Sequence, residues 1–338
     1  MSANTPGTGH QAYIAIAKES SYGVAPATAA IKYELAGEVS FDPGAGVIES
    51  DGMNPSRMSP GCSKPAIFRN PSIRFRIEIP YEGFEEMFRA VLATYSSAVV
   101  GGETIVIDHT FKEAGLLNSY TVEFSVGDIP TGKVTRLVGA YVTGITIEGE
   151  ADRVVTAEIT VSGLTMTTNE DPMSGGSFAS PNCITLHDIL LTAGNLKDGS
   201  GATEADIVIR SLRLAIEIPH TNFRPQAGNA QSLGPVRNGL MGLTVDIEEE
   251  WNAVTLMDAV QQSTVADLKF LFRNPATIGV ASTREFEITA GSPVTAEYGK
   301  QIPGADVVTQ RVSYRLQYNS TAVSAVVVRT RNLTAALT

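Results

Sequence analysis

Cysteine is nearly absent from this 338-residue sequence, which contains only Cys62 and Cys183. Two cysteines exclude a disulfide scaffold and a four-cysteine zinc site. No apolar run approaches the roughly 18 residues that a membrane-spanning helix needs. The first residues also lack the basic and apolar regions of a secretory signal. These absences predict a soluble protein that is made and kept in a cytoplasm-like compartment.

Positive charge is also scarce. The chain has 25 Lys plus Arg against 36 Asp plus Glu, which gives a net charge of −11. Proteins that grip nucleic acid neutralise its phosphates with clustered Lys and Arg, so this balance excludes that class. It remains compatible with a protein that handles nucleic acid by repelling it.

Signatures of catalysis and of cofactor or metal binding are missing as well. The four histidines, His10, His109, His187 and His220, are not spaced as ligands of one metal ion. The sequence has no Gly-x-Ser-x-Gly nucleophile elbow and no phosphate-binding loop at a strand-to-helix turn. We therefore predict a protein that is not an enzyme, without catalytic, cofactor-binding or metal-binding residues.

A strong β signal is what the sequence does contain. Its 31 Gly and 17 Pro, together with many Val, Ile and Thr, favour strands and turns. Residues Ser72–Ile79 alternate apolar and polar side chains, which predicts a half-buried strand. Phe84–Tyr95 then changes to helical spacing, and Trp251–Val260 has the same spacing in the second half.

The predicted fold is mainly β, with two tandem β-sandwich or barrel-like domains that each carry one short α-helix. Further strands are predicted at Ala12–Lys18, Ile31–Phe41, Thr104–Phe111, Ser119–Val126, Lys133–Glu148, Arg153–Leu164, Asn182–Thr192, Asp206–Ile218, Gly242–Ile247, Asp267–Arg273, Arg284–Thr289, Val307–Tyr318 and Ala322–Arg329.

The order of these elements repeats about a polar, breaker-rich stretch near the midpoint of the chain. We predict a first domain over residues 1–168, a linker over 169–181 and a second domain over 182–338. A shift of 169 residues, half of 338, lays Gly144–Glu148 over Ser313–Gln317 and Val154–Val161 over Val323–Thr330. Few residues are identical, so two unrelated β domains are the alternative to a duplication.

Four segments of the first half have distinctive strand and turn patterns: Tyr13–Ala25, Tyr120–Phe124, Leu137–Glu148 and Val154–Gly163. Together they resemble the tail tube, or major tail, proteins of long non-contractile-tailed bacteriophages. Tyr13–Ala25 (YIAIAKESSYGVA) resembles the opening strand and Tyr-Gly turn of that family. Leu137–Glu148 (LVGAYVTGITIE) and Val154–Gly163 (VVTAEITVSG) resemble its closing hairpin. The second half has Gln310–Tyr314 in place of the Gly-Ala-Tyr start, so there the resemblance rests on element order alone.

This resemblance implies a structural virion protein. Tube domains of that family assemble six to a ring, and the rings stack into a tube that carries DNA from capsid to cell. A chain with two such domains would form a trimeric, pseudo-hexameric ring. The implied partners are further copies of the chain and the tape measure, tail tip and tail terminator proteins, with assembly in the host cytoplasm and no specific DNA binding.

Acidic side chains on the polar faces of the predicted strands are the candidates to line the bore of such a tube, where their summed charge would repel DNA. They are Glu38, Glu78, Glu148, Glu158, Glu217, Asp246, Glu248 and Glu250. The N-terminal arm Met1–Gln11 and the long loops Asp42–Pro71 and His220–Asn238 are predicted to order on contact with a neighbouring ring.

Two other classes of function compete with the tube. The first is an extracellular β-sandwich module that binds a carbohydrate or a receptor. The aromatic content of 7 %, low for a surface that stacks on sugars, and the missing secretory signal argue against it. The second is a hydrolase on a β scaffold, which the missing motifs disfavour.

Overall fold

A computed structural model describes residues 12–44, 47–48, 64–65, 70–113, 117–125, 133–189, 209–221, 236–237, 239–250, 267–291, 293–301, 308–317 and 324–337. Over these ranges the protein is mainly β, as predicted, with a single α-helix, α1 (Glu85–Leu92). No helix in these ranges is long and apolar enough to cross a membrane. The second predicted helix, Trp251–Val260, lies outside the described residues.

The strands follow one another along the chain in two groups. Up to the closing hairpin of the first half they are β1 (Tyr13–Lys18), β2 (Ile31–Glu34), β3 (Ser40–Asp42), β4 (Val47–Ile48), β5 (Lys64–Pro65), β6 (Ser72–Glu78), β7 (Thr94–Val99), β8 (Ile107–Lys112), β9 (Tyr120–Ser125), β10 (Val134–Glu150) and β11 (Thr156–Ser162). After these come β12 (Thr165–Glu170), β13 (Ser177–Phe178), β14 (Ile209–Glu217), β15 (His220–Thr221), β16 (Val236–Arg237), β17 (Gly242–Glu250), β18 (Asp267–Ile278), β19 (Ser282–Gly291), β20 (Pro293–Gln301), β21 (Thr309–Leu316) and β22 (Val326–Asn332).

The widest layer is an antiparallel sheet of eight strands in the order β3-β6-β11-β10-β14-β17-β21-β20. Four of its strands come from residues 1–168 and four from residues 182–338. The two groups meet where β10 pairs with β14, with Glu148 opposite Arg213 in the register. We call this layer the eight-stranded sheet.

Strand β10 also belongs to a second layer, because its two ends have different neighbours. Val134–Ala140 pairs with β9, while Tyr141–Glu148 pairs with β11, and a register shift falls between Val142 and Gly144. The second layer has the order β13-β2-β1-β9-β10-β12. Sharing of β10 makes the two layers one continuous sheet of 13 strands.

A separate sheet of five strands has the order β18-β19-β22-β8-β7. The hairpin β7–β8 comes from the first half of the chain and the hairpin β18–β19 from the second, and β22 lies between them. Both halves of the chain therefore contribute strands to the eight-stranded sheet and to the five-stranded sheet. The division into two domains with a linker at 169–181 remains a prediction; within that stretch, β12 continues to Glu170 and β13 occupies Ser177–Phe178.

Alternation of apolar and polar residues explains which face of each strand is buried. On β6, Ile73, Phe75 and Ile77 are buried, whereas Arg74 and Arg76 between them are exposed. The buried faces of β11, β10, β14, β17 and β21 continue the same apolar core. Removing this apolar surface from water is the main stabilising contribution to such a layer.

The helix α1 is buried on every side. Its predicted apolar stripe packs into the core, where the ring of Phe88 stacks on that of Phe286 at 5.4 Å between centroids. At its N-terminus the buried Glu85 carboxylate accepts hydrogen bonds from the Gly83 N–H at 2.8 Å and from the Asn332 amide of β22. Burial raises the pKa of Glu85 above its ordinary range. These contacts fix the end of β22 against a helix of the first half.

One predicted strand is wrong, and three of the longer observed strands, β7, β12 and β20, are not predicted by the sequence pattern. Strand β7 begins at Thr94, within the predicted helix Phe84–Tyr95, because α1 ends at Leu92. Asn182–Thr192 is expected to be extended, but Leu186–Asp188 forms a 3₁₀ turn. A capping box explains it, because the Asp188 carboxylate accepts the Thr185 N–H at 3.0 Å and so closes the turn. Strand β20 escapes prediction since its start at Pro293 has the composition of a loop.

Candidate functional site: the charged face of the eight-stranded sheet

The face of the eight-stranded sheet opposite the core is polar and charged. Because side chains alternate along a strand, every second residue of these strands points away from the core. One cross-strand row on this face contains, in order, Glu78, Thr156, Glu148, Arg213, Asp246 and Ser313. It crosses six neighbouring strands, so the face is continuous between the two halves of the chain.

The structure brings seven of the eight candidate acids together on this face. They are Glu78 on β6, Glu158 on β11, Glu148 on β10, Glu217 on β14, and Asp246, Glu248 and Glu250 on β17. The eighth, Glu38, is exposed and lies between β2 and β3. Its neighbour Gly37 lies beside the Arg76 side chain, since a Cβ on Gly37 would be 3.7 Å from the Arg76 Cβ.

Sequence reasoning selected no arginine of this face as a site residue, although Arg74 and Arg76 share the polar side of the predicted strand Ser72–Ile79 with Glu78. The arginines of the face occupy positions of the same parity as the acids, so the alternation that selected the acids also contained this signal. They are Arg74, Arg76, Arg213, Arg311 and Arg315, with Arg210 at an irregularity of β14. The net charge of −11 for the whole chain does not describe this face, where acids and arginines alternate.

Glu148 lies at the centre of this arrangement. Its Oε1 accepts a hydrogen bond from the Arg213 Nε at 3.2 Å, and its Oε2 lies 3.5 Å from the Arg76 Nη2. Glu158 forms an ion pair with Arg74. Each of these pairs joins two strands, and the contact with Arg213 joins the two halves of the chain.

Asp246 and Glu250 extend the pairing across the second half. The Asp246 carboxylate lies 3.5 Å from the Arg213 Nη1 and accepts a hydrogen bond from the Ser313 hydroxyl. Glu250 Oε1 accepts hydrogen bonds from Arg210 at 2.8 and 3.1 Å. Most of these side chains are well exposed, so each pair contributes at most about 1 kcal/mol to stability. Their main effect is on the electrostatic field of the face.

The described histidines make structural contacts, whereas His10 lies outside the described residues. His109 is fully buried, with its Nδ1 3.0 Å from the Tyr95 hydroxyl and its Nε2 3.2 Å from the Thr334 carbonyl oxygen. His187 lies on the surface, 2.6 Å from an Asp152 carboxylate oxygen. Among the described residues, no group of three or more His, Cys, Asp or Glu is arranged to hold a metal ion.

Cys183 is not set up as a nucleophile. Burial, followed by the hydrogen bond and charge of Glu78, raises the pKa of its thiol to about 12. The thiol is therefore protonated at neutral pH, whereas a reactive cysteine needs its thiolate form. Cys62 lies outside the described residues.

Three of the segments that carry the family resemblance, Tyr13–Ala25, Tyr120–Phe124 and Leu137–Glu148, meet at the buried Glu19. Its Oε2 accepts the Gly23 N–H at 2.8 Å, and its Oε1 accepts the Gly139 N–H at 2.7 Å and the Thr121 hydroxyl at 2.8 Å. One carboxylate thus ties the Tyr-Gly turn after β1 to β9 and β10. The family resemblance includes Glu19, but the sequence alone does not predict that its carboxylate joins these segments.

Close packing around this carboxylate accounts for the glycine of the Gly-Ala-Tyr segment. Gly139 has a φ of +65°, and a Cβ there would lie 2.8 Å from the Leu164 Cβ. The rings of Tyr22 and Tyr141 lie beside it, with 5.7 Å between centroids. The turn and the strand therefore fit together only when residue 139 has no side chain.

Among the described residues, the eight-stranded sheet ends in the edge strands β3 and β20, and such edges can pair with a strand of another chain. In a comparison with protein families, a family model described as phage tail tube protein matches residues 9–316. The chain belongs to the phage tail tube protein family. It is therefore a structural component of the virion tail. A search of curated proteins found no match.

Proposed function

We propose that three copies of this chain form a pseudo-hexameric ring, and that rings stack into a tail tube through which DNA passes during ejection. The observation that supports this most directly is the composition of the eight-stranded sheet, with four strands from each half of the chain. Three such sheets side by side supply 24 strands, which is the number expected from six tube domains with four strands each.

The dimensions of such a ring suit a DNA duplex. With strands about 4.8 Å apart and tilted near 40°, 24 strands give a backbone circle of roughly 150 Å around and about 48 Å across. Side chains that line it on both sides remove about 10 Å, which leaves a bore of roughly 38 Å. Half as many strands would leave a bore of roughly 14 Å, which is too narrow for a duplex whose major and minor grooves are about 8.5 and 7.5 Å deep.

Closing the ring would also remove the two open edges of the sheet. Strand β3 forms one edge and is exposed along its three residues, and β20 forms the other. Open edges invite pairing with another chain, and a closed barrel has none. We therefore place β20 of one copy next to β3 of the following copy around the ring.

In this arrangement the charged face lines the bore. The acids from Glu38 to Glu250 repel phosphate, and four of the arginines are held by carboxylates of neighbouring strands. These four are Arg74, Arg76, Arg210 and Arg213. An arginine paired in this way is less available to phosphate, so DNA slides without being held. In this proposal the bore is lined by acids together with arginines that are paired with them, whereas a lining of acids alone is predicted from the sequence.

Contacts between rings and with other tail proteins belong to the same proposal. We assign ring stacking to the N-terminal arm Met1–Gln11 and to the loops Asp42–Pro71 and His220–Asn238, most of which lie outside the described residues. The tape measure, tail tip and tail terminator proteins are the proposed further partners. The duplication of a tube domain about residues 169–181 is what makes three chains equivalent to six domains.

Electron microscopy of the purified protein, with symmetry analysis of any tubes, tests this proposal. Three chains per ring, counted independently by native mass spectrometry, are expected. Six chains per ring would contradict the duplicated tube domain. Dispersed monomers that bind glycans would contradict the tube and favour the carbohydrate-binding alternative.

A further inference from the structure

Within the part of the chain that the structure describes, one edge of the five-stranded sheet lacks the usual protection against pairing. Strand β7 forms this edge, and its residues are exposed apart from the half-buried Tyr95. Its sequence, Thr-Tyr-Ser-Ser-Ala-Val, contains no charged residue and no proline. Natural proteins usually guard an exposed edge strand with Lys, Pro or a bulge, because an unguarded edge pairs with other strands.

The opposite edge of the same sheet is guarded. Strand β18 contains Pro275, and its register with β19 shifts between Arg273 and Thr277. It also carries Lys269, which pairs with Glu287 at 2.8 Å. Since one edge of the sheet carries all of these features and the other carries none, the lack of protection is specific to β7.

The register defines which backbone groups of β7 are open. The Val100 N–H donates to the Val106 carbonyl oxygen at 3.0 Å, which makes residues 100 and 106 a hydrogen-bonded pair. Hydrogen-bonded and non-bonded pairs alternate in an antiparallel ladder. With Val99 opposite Ile107 and Ser97 opposite His109, the N–H and C=O groups of Tyr95, Ser97 and Val99 point away from β8.

Exposed apolar side chains lie on β7 and on the tips of two neighbouring hairpins. Val99, Ile105 and Val280 are exposed by 56 %, 57 % and 78 %. The tips are joined by Glu103, whose carboxylate accepts the N–H groups of Val280 at 2.8 Å and Ala281 at 2.9 Å. These hydrogen bonds lower the pKa of Glu103, so its carboxylate is ionised, and its oxygens already have partners within the chain.

We propose that a strand of a second copy of this chain pairs with β7 and covers the apolar tip. Charge supports this occupant over a basic partner. Two copies with a net charge of −11 each repel one another, so they approach best along a strand such as β7 that contains no charged residue. A basic partner would instead select an acidic surface. The contact deepens the proposed assembly by naming a second interface, distinct from the closure of β20 onto β3.

Residue-resolved hydrogen exchange of free and assembled protein tests this pairing directly. In free subunits the N–H groups of Ser96 and Ala98 are expected to be protected by β8, and those of Tyr95, Ser97 and Val99 to exchange rapidly. On assembly the second set should become protected by at least tenfold. Unchanged exchange of Tyr95, Ser97 and Val99 in assembled protein would overturn the proposal.

Two variants of Ser97 distinguish an effect on pairing at the β7 edge from an effect on folding. Ser97→Pro removes only an N–H that points away from β8, and proline is tolerated at such edge positions. Ser97→Val retains the N–H and serves as the control. Ser97→Pro should fold normally by circular dichroism but associate about tenfold more weakly, as expected from the loss of at least one hydrogen bond.

The outcomes distinguish this interface from the tube itself. Tubes that form equally well from Ser97→Pro and Ser97→Val would overturn the role of β7 and leave the proposed function intact. If the unmodified protein forms no rings, the tube proposal fails. In that case self-association is measured by analytical ultracentrifugation. If β7 forms the contact, Ser97→Pro must weaken this self-association. Should Ser97→Pro fail to fold, Ser97→Lys provides the same comparison through charge.

Discussion

The carboxylate of Glu19 accepts a hydrogen bond from the backbone N–H of Gly139, at 2.7 Å and across 120 residues of sequence. The same carboxylate also binds the Gly23 N–H and the Thr121 hydroxyl. Three donors converge on one buried acid, and they come from the turn after β1, from β9 and from β10. The opening and closing segments typical of tail tube proteins are therefore joined at a single side chain.

Replacing Glu19 with Gln tests this junction. All three partners donate, so the amide NH₂ of a glutamine must face one of them and leave a buried donor unsatisfied. We expect a loss of about 1–3 kcal/mol in the free energy of unfolding. Urea denaturation measures it, with Glu34→Gln on the exposed end of β2 as the control. Equal stability of the two variants would contradict the role given to Glu19.

Gly139→Ala tests the packing beside that carboxylate. A methyl group there lies 2.8 Å from the Leu164 Cβ, on a backbone with a φ of +65° that disfavours side chains. We expect a loss of about 1–3 kcal/mol. Gly101→Ala is the matched control, because a Cβ at Gly101 meets nothing within 4 Å. Thermal unfolding of both variants compares them, and similar melting temperatures would argue against the close packing.

The stability of the protein should depend on pH through His109. Burial lowers the pKa of this histidine below its ordinary value of 6.5, so the folded state favours the neutral ring. The neutral ring can donate from Nε2 to the Thr334 carbonyl oxygen and accept at Nδ1 from the Tyr95 hydroxyl. Between the lowered pKa and 6.5 the unfolded chain binds more protons than the folded chain. Stability therefore falls as the pH decreases below 6.5.

Denaturation at pH 7.5 and at pH 5.5 measures this effect. The unmodified protein should lose more stability between the two values than His109→Gln, which has no titrating ring at this position. The comparison between variants also removes the contribution of Glu85, whose raised pKa acts in the opposite direction. An equal loss in both proteins would mean that His109 is not the responsible group.

Local patterns in the sequence predict most of the strands and the polar face. The alternation in β6 has a period of two, and a period of two determines which side chains share a face without further information. It locates Glu148, Glu158 and Asp246 correctly on one face. The same rule also locates Arg76 and Arg213, which the net charge of the whole chain conceals because it averages over all faces.

The pairing between distant strands could not be predicted from the sequence. Strand β22 pairs with β8, and Arg329 and Arg331 of β22 both contact Asp108 of β8 at 2.7 Å. Nothing in the local composition of either strand specifies a partner more than 200 residues away, since register follows from burial and turn geometry that only the fold provides. For the same reason the hydrogen bonds that converge on Glu19 could not be read from its neighbours in sequence.

The charge of the sheet face gives the final prediction, which rests on the proposed bore. Replacing Glu148, Glu158, Asp246 and Glu250 with Lys removes the acids that hold arginines and leaves those arginines beside four new positive charges. The face becomes strongly positive, and phosphate should then bind it. A single Glu→Gln substitution should have no visible effect, because the field is the sum of many charges.

The rate of DNA ejection from virions with these tails, measured at low and at high salt, is the test. Assembly of the tubes is first checked by electron microscopy. The four-Lys variant should eject DNA slowly or stall at low ionic strength and recover as salt screens the attraction over a Debye length of about 10 Å at 0.1 M. The matched control replaces the same four acids with Gln or Asn, which frees the arginines without adding charge and should give a smaller delay. Normal ejection by the four-Lys tubes at low salt would show that the charge of this face does not govern the passage of DNA.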